Sequence, residues 1–157
     1  MQVIPEMEPQ LENDLFFVCS VIEYIGRETK NRRADVVRLL GEKEIAKLVD
    51  LADVFHCEPI ENTARDLIEK HGITRGGFDN AGECKYNLPT VFDIAKVYKR
   101  LIFSVTQAKG LPPVAALIEA YSSPISGKID DYNSSMYFEN PQYIYESYVA
   151  GEPLKDY

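Results

Sequence analysis

Two histidines, His56 and His71, three cysteines, Cys19, Cys57 and Cys84, and a few close carboxylates are the residues whose types could do chemistry. Neither histidine has a second histidine or an acid at the spacing of a helical metal pair, so no metal or other cofactor is expected. His56 and Cys57 are adjacent, which points their side chains apart. A cysteine–histidine nucleophile would need Cys19 or Cys84 to meet a histidine through the fold, and no spacing calls for it. The carboxylates have structural explanations. Glu58 and Glu61 fall at an expected helix start, where negative charge is favourable. Glu61 precedes Arg65 by four residues, as a helix surface pair does. Glu42 and Glu44 open another helix, and Asp130 and Asp131 read as first-turn or loop acids. No catalytic residue is assigned on this basis. An enzyme would require a deep pocket lined by Glu23, His56 or Asp130.

Two clusters remain. Arg27, Lys30, Arg32, Arg33 and Arg38 form the one basic run. With short helices on either side it could act as a helix–turn–helix, in which Arg27, Arg32, Arg33 and Arg38 would contact DNA. Glu28 and Asp35 interrupt it, so a solvated turn or a contact for an acidic partner fits better. The second cluster is aromatic: Tyr132, Tyr137, Phe138, Tyr143, Tyr145 and Tyr148. Tyrosine offers a large apolar area with a polar tip, which suits protein interfaces. The same rings could instead pack the last helix onto its neighbour. A short helix cannot bury all six, so the set is the candidate partner-binding surface.

These residues must be positioned by helices. In Leu11–Thr29, Leu11, Leu15, Val18, Ile22 and Ile25 recur at steps of four and three, the period of one helical face. Phe17, Val21 and Tyr24 widen that stripe, so neighbours should cover this helix on more than one side. Arg32–Leu40 reads as a second helix, capped by Asn31 and ended by Gly41. Glu42–Ala52 fits a third, and Pro59 opens a fourth that closes at His71–Gly72. Turn formers Gly76, Gly77, Asn80 and Gly82 mark a break over 73–87. Beyond it, Pro89–Gln107 is strongly periodic. Pro112–Pro113 opens a helix to Tyr121, Ile125–Tyr132 fits a short one, and Pro141–Ala150, between Asn140 and Gly151, fits the last. The expectation is an all-α bundle of about seven helices. It divides into a loose leader (1–10), an N-terminal unit (11–72), a linker (73–87), a C-terminal unit (88–151) and a loose tail (152–157). The two units share a plan and read as a diverged duplication packed together.

The totals narrow the function classes. The chain has 157 residues, 45% of them hydrophobic and 27% charged, with a net charge of −8. That is ordinary globular composition. Residues 1–72 carry −6 of the charge and residues 73–157 carry −2. An acidic chain is repelled by phosphate backbones, which argues against nucleic acid as a partner. No signal peptide or membrane span is expected, and the cytosol is the expected compartment. Cys19, beside Val18 in the first helix, should be a buried small hydrophobe.

On Phe17, Ile22, Glu23, Val36, Leu39, Leu40, Val54, His56 and Ile68, residues 15–72 resemble a family of short bacterial helical domains of unknown function. The tail from Ser122 to Gly151 is similar to a recurrent C-terminal segment of small proteins from the same bacteria. Such families are often encoded beside toxin candidates of the ADP-ribosyltransferase-like type. The resemblance implies a toxin-neutralising or partner-binding role, with a toxin encoded nearby as the partner. The combined expectation is a non-enzymatic, antitoxin-like protein-binding module, with a homo-oligomer compatible with the same surface. The alternatives are a DNA-binding regulator using Arg27–Arg38, or an enzyme whose site the sequence does not display.

Overall fold

The apolar stripe of the first helix is the centre of the molecule. In helix α1 (Pro9–Thr29), Leu15, Phe17, Val18, Val21, Ile22 and Ile25 are all buried. The computed structural model describes residues 7–55 and 57–154. Residues 1–6 of the expected leader, 155–157 of the expected tail and His56 of the expected turn lie outside the described residues. Residues 9 and 10, expected to be loose, are the first turn of α1, where Pro9 needs no hydrogen-bond acceptor. Lys30 ends this helix in a left-handed conformation, and its ammonium pairs with Asp79 at 3.2 Å.

Helix α2 (Arg33–Asp50) follows a short turn, and Gly41 breaks it with φ 81° and ψ 161°. The span thus holds two helices that meet at Gly41, as expected, because only glycine takes that backbone conformation freely. Asn31 does not cap it. The flanking residue is Arg32, without a side-chain cap, and the Asn31 amide instead donates to the Thr74 carbonyl at 2.9 Å. That bond closes the turn against the 73–87 stretch. Then come α3 (Ala52–Phe55), α4 (Ile60–Lys70) and α5 (Asn80–Glu83). The four-residue helices α3 and α5 are too short to show a period in sequence.

Helix α6 (Val91–Lys109) is the second long rod and packs along α1. Pro89 is not its first residue. Thr90 caps it, accepting from the Asp93 backbone N–H, while the Asp93 carboxylate accepts from the Thr90 N–H, a reciprocal capping box. Helices α7 (Pro113–Ser122) and α8 (Pro124–Ile129), a 3-10 turn (Met136–Phe138) and α9 (Pro141–Ala150) complete the chain. Asn140 caps α9 by accepting from Gln142 N–H at 2.8 Å, and Gly151 ends it, as its sequence signals indicate.

The fold is all-α, with nine α-helices and no strand among the described residues. Helix α1 packs on α2, α4 and α6, while α2 reaches α7 and α6 holds both α7 and α9. Buried apolar side chains from α1, α2, α4, α6, α7, α8 and α9 form one continuous cluster. The stretches before and after residues 73–87 thus share a core. No single helix among the described residues is long and apolar enough to cross a membrane. Replacing Thr90 with Ala removes half of the capping box and is expected to lower unfolding stability by about 1 kcal/mol, read by urea denaturation.

Candidate functional site

Helical phase carries some charged residues into this core. Arg33 shares the phase of Val36, Val37 and Leu40, and its side chain has 0% exposure. Glu23 shares the phase of Cys19 and Gly26 on α1 and is 1% exposed. The two meet with Arg33 Nε 3.3 Å from Glu23 Oε1. The other guanidinium nitrogens also find acceptors. Nη1 donates to the Asn31 carbonyl at 2.9 Å, and Nη2 faces Asn80 Oδ1 and the Tyr132 hydroxyl at 3.3 and 3.4 Å. Gly26 makes room for this arrangement, since a Cβ there would run into the Arg33 side chain.

A second carboxylate lies in the same knot. Asp130, at the end of α8, is 3% exposed and accepts from the Tyr98 hydroxyl at 2.8 Å. The Asn80 amide donates to its backbone carbonyl at 2.9 Å. Tyr121 donates to Glu23 Oε2 at 3.0 Å, and its ring stacks on Tyr98 with centroids 3.9 Å apart. Burial, with the Glu23 charge beside it, pushes the Asp130 carboxyl up to about 7, while Arg33 pulls the other way. Burial raises Glu23 as well, against Arg33 and the Tyr121 hydroxyl. Asp130, just beyond the end of α8, is therefore buried, whereas its neighbour Asp131 is exposed.

This knot draws on α1, α2, α5, α6, α7 and α8, and its polar groups face one another. Acid–base chemistry on a substrate needs a group within hydrogen-bond reach of the reacting atom. Four surface cavities formed by described residues are lined by none of Glu23, Arg33, Tyr98, Tyr121 and Asp130. Cys19 is also buried, and desolvation raises its thiol far above the range of a reactive thiolate. Among the described residues no three His, Cys, Asp or Glu side chains are grouped to hold a metal ion. His71 lies 2.8 Å from Glu44, which also pairs with Lys70, so these groups tie α2 to the end of α4.

The basic run does not form one cationic surface. Arg33 is inside, and Arg27 is half-buried, donating to the Pro89 carbonyl at 2.9 Å and lying over the Tyr132 ring. Arg32 and Arg38 reach the surface, but Arg32 lies over Phe78 and Arg38 pairs with Asp35 at 3.5 Å. The alternative DNA contact through Arg27, Arg32, Arg33 and Arg38 would lack Arg33, which helical phase turns inward.

The aromatic set is divided in the same way. Tyr132 is 2% exposed with its hydroxyl in the knot, so it is not a surface residue. Tyr148 is also buried, under Lys109, and stacks on half-buried Tyr145. The half-buried Tyr143 donates its hydroxyl to the Leu154 carbonyl at 2.8 Å. Tyr137 lies edge-on to both Tyr132 and Phe138, at 5.8 and 5.0 Å between centroids. Phe138 is 66% exposed. Tyr137 and Phe138 wall a groove of about 140 Å³ between α6, the 3-10 turn and α9. Val97, Arg100, Leu101, Glu139, Pro141 and Ile144 complete its lining, of which Leu101 and Ile144 are buried. The α6 side of this groove carries no signal of its own in the sequence, because helical period marks Arg100 only as a residue facing away from the core.

Replacing Arg33 with Met leaves the Glu23 carboxylate buried without its cation, and a loss of about 3–5 kcal/mol is expected in chemical denaturation. Asp130 sets a pH dependence. The folded protein keeps this proton to about pH 7, whereas the unfolded carboxyl releases it near 3.8. Its stabilising contribution is complete below the lower value and is lost as pH rises through the upper one. The denaturation midpoint should therefore fall as pH rises from about 4 to about 7 and level off above, and Asp130→Asn should flatten that fall. Comparison of the chain with family models, with curated proteins and with solved structures finds no match.

Proposed function

We propose that this chain is a non-enzymatic protein-binding module, acting in the cytosol as an antitoxin-like inhibitor of a partner protein. The observation that carries the binding reading is Phe138, a phenylalanine 66% exposed at the edge of a groove. A large ring left in water gains free energy when a partner covers it. Aromatic anchors at the centre of a patch supply much of the binding energy of an interface. Tyr137 meets Phe138 edge-on, with centroids 5.0 Å apart. The inhibitor reading rests on the family resemblance of residues 15–72. The non-enzymatic reading rests on the chemistry of the interior, where Glu23 and Asp130 are engaged with Arg33, Tyr98 and Tyr121.

Phe138→Asp puts a charge on that patch without touching the core. The variant should keep the wild-type melting temperature and lose the protein that wild type recovers from its host. Expressed alone, the recovered partner should slow growth, and wild type but not Phe138→Asp should relieve it. Equal recovery by both proteins, or an inert partner, would remove the corresponding half of the proposal.

A further inference from the structure

We infer that Asp130 is a proton-operated latch: while its carboxyl is neutral the segment 131–139 stays seated on the interior, and ionisation favours release of that segment, with Phe138, while the long helices stay packed. The latch acts whether or not a partner binds Phe138. Its position is that of a hinge. Asp130 follows the last residue of α8, and the next residue, Asp131, is exposed. A few polar contacts seat what lies beyond. The Asn80 amide donates to the Asp130 carbonyl at 2.9 Å. Asn133 donates to the Glu83 carbonyl at 3.0 Å and accepts from the Lys85 N–H at 2.8 Å. The Tyr132 hydroxyl lies 3.4 Å from both Arg27 and Arg33. Within 131–139 only Tyr132 and Met136 are buried.

The groups around the carboxyl make one proton decisive. Asp130 is 3% exposed and forms no ion pair within 4.0 Å among the described residues. Arg33 of α2 is paired with Glu23 of α1, and Arg32, also on α2, attracts Asp130 more weakly than Arg33 does. From α6 the Tyr98 hydroxyl reaches the carboxyl at 2.8 Å, and from α7 Tyr121 is turned to Glu23. The 3-10 turn and α9, which pack on α8, carry Tyr137, Tyr143, Tyr145, Glu146 and Tyr148, and Glu146 is exposed. On α8 itself Lys128 is exposed. A buried carboxylate with one neutral donor, beside a second carboxylate, either keeps its proton or moves to water. Burial and Glu23 hold the proton to about pH 7 in the seated form, whereas a solvated carboxyl releases it near 3.8. Water is one residue away, at Asp131. Glu23 and Arg33 keep each other, Tyr121 and Asn31 when the segment leaves, so the opening is local.

Hydrogen exchange of the full chain, followed by NMR between about pH 4 and about pH 8, tests the latch. The Lys85, Ser134 and Phe138 amides report on the segment, because they donate to Asn133, Asp131 and Ser135. The Val21 and Ile22 amides report on α1. At every pH the first set should be less protected than the second. Its protection, corrected for the intrinsic rate, should fall by up to about tenfold per pH unit from about pH 4 to about pH 7 and level off above. Asp130→Asn, the neutral isostere of the protonated acid, should hold that protection constant. Tyr98→Phe removes a donor that favours the carboxylate, so the levelling should move to higher pH. That variant decides the matter if Asp130→Asn does not fold. Four results would each overturn the latch: protection equal to that of α1, a flat profile in wild type, a fall retained in Asp130→Asn, or a levelling pH unmoved in Tyr98→Phe. Protection equal to that of α1, with both sets falling together, would mean that Asp130 acts on global stability alone.

Discussion

The Glu23–Arg33 pair is the constraint on which the rest of the structure depends. Moving a guanidinium and a carboxylate out of water costs several kcal/mol for each ion, and attraction offsets this only where geometry is good and the remaining donors are satisfied. Here they are satisfied by residues far apart in the chain: Asn31, Asn80, Tyr121 and Tyr132. Each of those groups must arrive at its place for the pair to be tolerated. The long helices α1 and α2, the small helices α5 and α8, and the loop carrying Tyr132 are thereby fixed relative to one another. Gly26 belongs to the same requirement, because any larger residue would occupy the space of the arginine stem.

Asp130 adds a second carboxylate to a region whose only fully buried cation, among the described residues, is Arg33. Burial, and after it the Glu23 carboxylate alongside, keeps a proton at Asp130 to near neutrality against the pull of Arg33. The stacked Tyr98 and Tyr121 rings hold the hydroxyls that serve the two acids. Interior charge is thus matched by interior polar groups.

The knot also supports the surface. Tyr132 has its hydroxyl at Arg33 and its ring against Tyr137, and Tyr137 in turn meets Phe138. A chain of contacts runs from the buried guanidinium to the most exposed ring of the C-terminal aromatic set. A ring mounted on a packed interior presents a defined shape to a partner, whereas one on a loose tail would have to be ordered first.

Much of the helical plan is legible because it is written locally. The α1 stripe has a clean period, and the Asn140, Pro141 and Gly151 signals mark α9 to the residue. The capping box at Thr90 and Asp93 is also visible as a spacing, but Pro89 draws the boundary too early. Asn31 misleads because its amide answers a carbonyl across a turn instead of a helix start. The basic run misleads because a cluster in sequence is not a cluster in space. Arg33 shares the phase of Val36, Val37 and Leu40, a signal present in the sequence that its neighbours in charge conceal. By itself, then, the sequence determined where the rods lie and which stripe of each is oily, since period and end signals act over a few residues. Only the tertiary structure decided which charges go inside, which tyrosines become core and which phenylalanine stays in water. Those outcomes depend on residues about a hundred positions apart, such as Glu23 with Tyr121 and Arg33 with Tyr132, meeting in one place. No local pattern specifies such a meeting; the packing of α1 against α6 and of α2 against α7 does.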